Sequence, residues 1–186
     1  MLTERDIQAR LMVDRYKRNF VLPNYTPPGW YECDVFELTE AGYMREYEIK
    51  LTRGDFKADA EKAKRDRLRF IEGKWTQLEK ERKHVRLAAR DVQGPCLFWY
   101  VTPKGLLDPS EVPEWAGLIE ADLRAGHRRP YRAHTYVTKS APKLHNNPAE
   151  TKVKDHSKTI PYYRMHSLFP RVATEAESGE NPNDET

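Results

Sequence analysis

The sequence has few of the features that mark secreted or membrane proteins. Only two of its 186 residues are cysteines, Cys33 and Cys96, and no hydrophobic run approaches the roughly 20 residues of a membrane span. The first ten residues, MLTERDIQAR, contain no apolar stretch of the secretory kind. Both cysteines lie in apolar segments without metal-ligand spacing, so we expect them to be reduced. We therefore expect a cytoplasmic protein with no membrane partner.

Charged residues are abundant in the sequence, since 33% of the residues are Asp, Glu, Lys or Arg. The aromatic content of 11% argues against disorder over the whole chain. The formal net charge is +3, but the last twelve residues hold five acids and neither lysine nor arginine, which leaves +8 on residues 1–174. We predict a single domain over 1–171, with its core at about 30–140 and a basic extension at 141–171, and an acidic disordered tail at 172–186.

Basic residues are concentrated between 124 and 171, where eleven lysines and arginines face only two acids. A strongly basic stretch favours a polyanionic partner, with nucleic acid the first candidate, although a solvated basic surface is the alternative. Three further residues on a predicted helix, Lys57, Lys83 and His84, could also reach phosphate. The candidate nucleic-acid contacts are Lys57, Lys83, His84, Arg128, Arg129, Arg132, Lys139 and Lys143.

The hydrophobic pattern predicts an α/β fold. Residues 3–18 have the spacing of an amphipathic helix with Thr3 as its N-cap. The stretches 30–38 and 43–51 alternate like strands, and the short glycine-containing turn between them predicts a hairpin. The proline cluster near residue 27 is expected to end any regular element before that hairpin.

A long helical segment is predicted after the hairpin, from a cap at Thr52 through Phe56 to Ala89, with Gly73 bending or interrupting it. The apolar run 96–101 then indicates an interior strand. Strand, helix and buried strand in this order predict a crossover connection in a mixed or parallel sheet flanked by helices. A further strand is predicted near 131–139.

The hairpin carries the candidate chemistry. If Leu38 pairs with Met44, the register places Asp34 directly opposite Glu48. Two carboxylates that close repel each other unless a cation lies between them, and Mg²⁺ suits oxygen ligands of this kind. Lys50 then lies next to the ion, where its charge can offset a phosphate. The alternative is an ordinary exposed strand face with a cross-strand ion pair.

These residues resemble the PD-(D/E)XK nuclease superfamily, which has a restriction-endonuclease-like fold. The matching elements are Asp34 on the first strand and Glu48-Ile49-Lys50 on the second, followed by the crossover helix. The run from Glu48 to Asp59 is similar to that of MmcB-like DNA repair nucleases and their phage relatives. Similarity continues through FWYVTP at 98–103, Gly105-Leu106 and Pro113 with AGLI at 116–119. It covers about residues 30–120, and Cys33 replaces the proline of the motif.

The resemblance implies a Mg²⁺-dependent deoxyribonuclease, with Mn²⁺ as the other metal, in a bacterial or phage-infected cell. Asp34, Glu48 and the carbonyl of Ile49 would bind the metal, and Lys50 would assist the attacking water. Glu4 fits the place of an additional acid near the metal, although it also fits a first-turn acid that complements a helix dipole. A homodimer is compatible with the superfamily. The alternative function is a catalytically quiet nucleic-acid-binding protein that keeps the nuclease fold.

Overall fold

Alternating apolar and polar residues in consecutive short segments build a mixed β-sheet. The computed structural model describes residues 1–59, 69–71, 74–76, 82–128 and 132–166. The elements in chain order are α1 (Glu4–Arg15), β1 (Asn19–Tyr25), β2 (Cys33–Thr39), β3 (Met44–Ile49), α2 (Arg53–Asp59), β4 (Arg69–Ile71), β5 (Lys74–Thr76), α3 (Lys83–Ala88), β6 (Leu97–Pro103), β7 (Gly117–Leu123), β8 (Ala133–Lys139) and α4 (Thr151–His166).

Six strands form the main sheet in the order β1-β2-β3-β6-β7-β8. The first three strands are antiparallel, and Leu38 lies opposite Met44, as the sequence predicts. Strands β3, β6 and β7 are mutually parallel, which confirms the crossover, and β8 returns antiparallel to β7. The chain is thus a single mixed α/β domain with helices on its sheet, as predicted. The strands β3, β6 and β7 finish at the same end of the sheet, which we call the site end. We call the opposite end the far end.

The segment predicted as one helix from Phe56 to Ala89 is broken up in the structure. Helix α2 ends at Asp59, β4 and β5 form a small antiparallel pair, and α3 begins only at Lys83. The β4 and β5 sequences, RFI and KWT, are rich in aromatic and β-branched residues, which fit a pleated surface better than a helix. The prediction of continuous helix was therefore wrong here, and the predicted bend at Gly73 lies outside the described residues.

Two elements were not predicted at all. Strand β1 contains Pro23, which the sheet tolerates because β1 is an edge strand and needs no hydrogen bond on that side. Helix α4 contains Pro161 and few apolar residues, but Val153 is only 4% exposed and packs in the core. The basic extension therefore belongs to the folded domain as far as 166, whereas the predicted acidic tail lies outside the described residues.

The sheet has a different hydrophobic layer on each face. On one face, which we call the α1 face, Ile7 and Leu11 of α1 pack on Val35, Ile49 and neighbouring strand residues. The other, the α4 face, carries a larger cluster that includes aromatic side chains of β2 and β6 and Val153 of α4. Within the described segments, no helix combines the length and the apolar character needed to cross a bilayer.

Candidate active site

The hairpin brings the two predicted carboxylates together at the site end of the sheet. The antiparallel register of β2 and β3 ends with Val35 opposite Tyr47, and Asp34 and Glu48 are the next residues beyond that pair. The Oδ2 atom of Asp34 accepts a hydrogen bond from the Ile49 amide at 2.7 Å. Glu48 is bound by Lys83 on the α4 side of the sheet, and Asp34 lies in the same cavity wall as Glu48. The fold therefore brings the two carboxylates together, whereas their direct cross-strand pairing stays a prediction.

Helix α1 closes the site from the other side. A capping box at Thr3 fixes the start of α1, and the Nε2 atom of Gln8 then donates to the Asp34 carbonyl at 3.2 Å and to Glu4 Oε1 at 3.0 Å. These contacts hold the first turn of α1 against the beginning of β2. A cavity of about 310 Å³ lies at this junction, and its walls are Glu4, Asp34, Glu48, Ile49, Lys50, Leu51, Asp55 and Ala58.

Lys50 lies immediately after β3 and is nearly inaccessible, with 3% of its surface exposed. Its Nζ atom is 2.6 Å from Glu48 Oε1 and 2.7 Å from Asp59 Oδ1. Burial by itself favours the neutral amine, but the charge of Glu48 and the hydrogen bonds that Lys50 donates to both acids outweigh it and raise the pKa of Lys50. Lys50 is therefore a cation, suited to donating hydrogen bonds and to stabilising negative charge rather than to removing a proton.

Lys83 also belongs to this site, which the sequence did not indicate. It lies at the start of α3, is 6% exposed, forms an ion pair with Glu46 and places Nζ 2.7 Å from Glu48 Oε2. Trp30 donates its indole N–H to the other oxygen of Glu46 at 2.8 Å. The prediction of Lys83 as an exposed phosphate contact is thus corrected, because its charge is used inside the protein to balance two buried glutamates.

Asp59 anchors Lys50 and was also missed as a site residue. The Oδ2 atom of Asp59 is 2.8 Å from His84 Nε2 and 3.1 Å from the Tyr100 hydroxyl. Hydrogen bonds from His84 and Lys50 overcome burial and lower the pKa of Asp59. His84, predicted as a surface contact to phosphate, instead lies half-buried in this group. The family-like run from Glu48 to Asp59 includes this residue, but only its contacts with Lys50, His84 and Tyr100 reveal its role.

The electrostatics favour a cation between the two hairpin carboxylates. Burial, followed by the charge of Glu48, raises the pKa of Asp34 to about 7, despite opposing effects of the Ile49 amide and Lys50. Two carboxylates and the Ile49 carbonyl form an all-oxygen donor set of the kind that Mg²⁺ prefers. The described residues hold no ready group of three His, Cys, Asp or Glu ligands. The carboxylates in this cavity wall are therefore hard oxygen donors, although Glu48 already holds two lysines.

The remaining predicted basic residues divide between the two ends of the sheet. Arg128 is exposed in the turn between β7 and β8, at the site end. Arg132 follows it and reaches α1, with its guanidinium 3.3 Å from the Met1 carbonyl and 3.8 Å from Asp6. Lys57 is exposed on α2. Arg129 lies outside the described residues.

Two predicted contacts lie away from the candidate site. Lys139 ends β8 at the far end of the sheet and donates to the carbonyls of Val112 and Pro113 at 2.7 and 3.0 Å. Lys143 is exposed, and its Nζ lies 5.2 Å from the ring centre of Tyr43, in the turn between β2 and β3. Neither residue shares an end of the sheet with Asp34, so the predicted basic surface is not one continuous patch around the site.

Comparison with known proteins supports the fold and leaves the function open. No protein family and no curated protein matches the sequence. The structure is similar to that of a solved protein of unknown function from Silicibacter pomeroyi, with a TM-score of 0.54 and 17% sequence identity. The match covers 97% of this chain and 93% of the other. Because the match spans both chains, it supports the whole mixed α/β arrangement rather than a fragment of it.

Proposed function

We propose that the chain is a metal-dependent nuclease that hydrolyses phosphodiester bonds in DNA, with a restriction-endonuclease-like core. One observation carries the proposal: Asp34, Glu48, Ile49 and Lys50 line a single cavity at the ends of two paired strands. The similarity of the sequence to the PD-(D/E)XK pattern rests on those residues. A chance triplet of charged residues would not be expected to converge on one cavity.

Each residue has a part that its geometry supports. Asp34, Glu48 and the Ile49 carbonyl would hold Mg²⁺ or Mn²⁺, and Glu4 lies in the same cavity wall. Bound there, the metal would supply an activated water and would stabilise charge on the scissile phosphate. Lys50 stays protonated beside Glu48 and would donate to a phosphate oxygen or hold the attacking water in place. Asp59 limits where the Lys50 ammonium can move, since it binds the same Nζ atom.

DNA would reach the site from the site end of the sheet. Arg128 and Arg132 lie at that end and would contact backbone phosphates without reading sequence. Such contacts make affinity fall steeply with salt. Lys57 on the neighbouring helix would add to the same surface.

A catalytically quiet DNA-binding protein is the second candidate, and one observation favours it. Both oxygens of Glu48 are already bound by lysines, Oε1 by Lys50 and Oε2 by Lys83. A carboxylate held in this way has less capacity left for a metal ion. The quiet protein would bind DNA equally well with Mg²⁺ and with EDTA.

Cleavage of labelled DNA and RNA forms in Mg²⁺, Mn²⁺ or EDTA tests the proposal. We expect metal-dependent cleavage of DNA that Asp34→Asn and Lys50→Met each reduce by at least about 100-fold, since each removes charge from the reacting centre. Asp122→Asn is the matched control, because this half-buried aspartate lies on β7 outside the cavity wall. Cleavage retained by both site variants would contradict the assignment. Binding without cleavage in any metal would favour the quiet protein.

A further inference from the structure

A second cavity, of about 400 Å³, lies on the α1 face of the sheet toward its far end. It is therefore separated from the candidate active site along the strands, since that site lies at the site end of the sheet. Its walls come from the last turn of α1, the turn that follows and all six strands of the main sheet. The lining residues are Asp14, Arg15, Arg18, Asn19, Glu37, Arg45, Tyr47, Trp99, Ile119, Thr135, Tyr136 and Val137.

The acids in this wall are already neutralised. Glu37 is fully buried, and its carboxylate receives Arg45 Nη1 at 3.2 Å and lies 3.4 Å from Arg15 Nε. Asp14 is paired at 2.7 Å with Arg10, which lies one helical turn earlier and outside the cavity. An anion entering the cavity would therefore meet little net repulsion from either carboxylate.

The arginines of the cavity wall keep charge and hydrogen-bond donors that the described residues do not use. Arg18 is exposed, and it has no ion-pair partner within the part of the chain that the structure describes. The Nε atom of Arg45 is buried without a hydrogen-bond partner. A buried donor left unpaired costs free energy that an incoming acceptor would recover. Three arginines from α1, the following turn and β3 thus line one space, and the buried Arg45 Nε is a donor without a partner among the described residues.

We propose that this cavity binds a phosphate group, either as inorganic phosphate or on a mononucleotide. Guanidinium groups match phosphate oxygens in paired, charge-assisted hydrogen bonds. Arginines from three separate elements approach from different directions, which suits the tetrahedral oxyanion better than a flat carboxylate. The volume also lies within the usual range for small-ligand pockets, roughly 300–1,000 Å³. This site is independent of the proposed nuclease activity.

Isothermal titration with sodium phosphate and with deoxyadenosine 5′-monophosphate, at constant ionic strength, tests the site. Arg18→Gln should weaken binding of both ligands about tenfold, since one charge-assisted hydrogen bond contributes roughly 1.5 kcal/mol. Lys17→Gln is the matched control, because this neighbouring exposed residue carries the same charge and lies outside the cavity wall. It should change affinity less than about twofold, as expected of a solvent-screened charge.

Results that support the phosphate site differ from results that overturn it. Equal affinities for the two ligands would assign recognition to the phosphate alone, and tighter mononucleotide binding would add a contact to the nucleoside. The absence of saturable binding by either ligand, or equal losses in Arg18→Gln and Lys17→Gln, would overturn the proposal. Arg45→Gln leaves Glu37 with fewer partners and can lower stability, so the Arg18 variant, which touches no buried acid, decides the result.

Discussion

At the scale of single residues, the candidate site is set by how charges are paired rather than by which charges are present. Lys50 and Lys83 neutralise Glu48 and Glu46, and Asp59 has its own donors. Asp34 is different, since its partners do not compensate for burial beside Glu48, and its pKa rises to about 7. The surroundings of Asp34 in the folded protein therefore disfavour its ionised form.

The pH dependence of stability follows from this pKa. Asp34 binds a proton in the folded protein up to about pH 7, whereas its ordinary pKa is 3.8, so its contribution to stability decreases as pH rises between those values. In EDTA, the free energy of unfolding of Asp34→Asn relative to that of the wild type should increase by on the order of 2 kcal/mol between pH 5 and pH 8. Urea denaturation at both pH values measures the difference. Free energies of unfolding that run parallel for the two proteins would contradict the assigned burial of Asp34.

At the scale of secondary-structure elements, the sequence pattern predicted those features that depend on residues close together in the chain. The hairpin and its register, with Leu38 opposite Met44, follow from strand alternation and a short turn. The crossover to β6 follows from a buried apolar run. The division of residues 56–89 into α2, a strand pair and α3 could not be predicted from the pattern, because strand and helix propensities compete there. Lys83 and Asp59 could not be assigned to the site because their partners lie on elements distant in sequence.

Helix α3 is docked onto the sheet through a buried charge, and this contact can be measured. Lys83→Met should destabilise the protein by about 3–5 kcal/mol, because Glu46 and Glu48 lose a shared cation inside the core. Adding Glu46→Gln to that variant should recover part of the loss, since the amide keeps an acceptor for Trp30. Lys57→Met, an exposed lysine on α2, is the matched control and should stay within about 0.5 kcal/mol of the wild type. Urea denaturation of the wild type, Lys83→Met, Glu46→Gln and the double variant gives the coupling energy, and Lys57→Met is measured beside them.

If the two mutations added independently, or if Lys83→Met matched Lys57→Met, the buried pairing of α3 with β3 would be refuted. The first result would mean that Lys83 does not sense Glu46. The second would mean that the lysine is solvated. Either result would also remove Lys83 from the candidate site.

At the scale of the whole molecule, the two cavities place cationic groups toward opposite ends of one sheet. The candidate active site lies where β3 ends, with Arg128 and Arg132 at the same end, whereas the arginine-lined cavity lies toward the start of β3. The total charge of +3 conceals this distribution because five acids fall in the last twelve residues. Removing those residues isolates the basic domain.

Deleting residues 175–186 should therefore tighten DNA binding at low salt, because the net charge rises from +3 to +8. In EDTA, which prevents metal-dependent cleavage, we expect a gain of at least roughly threefold near 50 mM salt that fades as screening shortens the range of the charges. Fluorescence anisotropy across a salt titration measures it. A full-length variant in which the five acids become amides is the matched control and should reproduce the gain. A gain seen only on deletion would assign the effect to the length of the segment, and equal affinities at every salt concentration would leave its charge without influence on DNA binding.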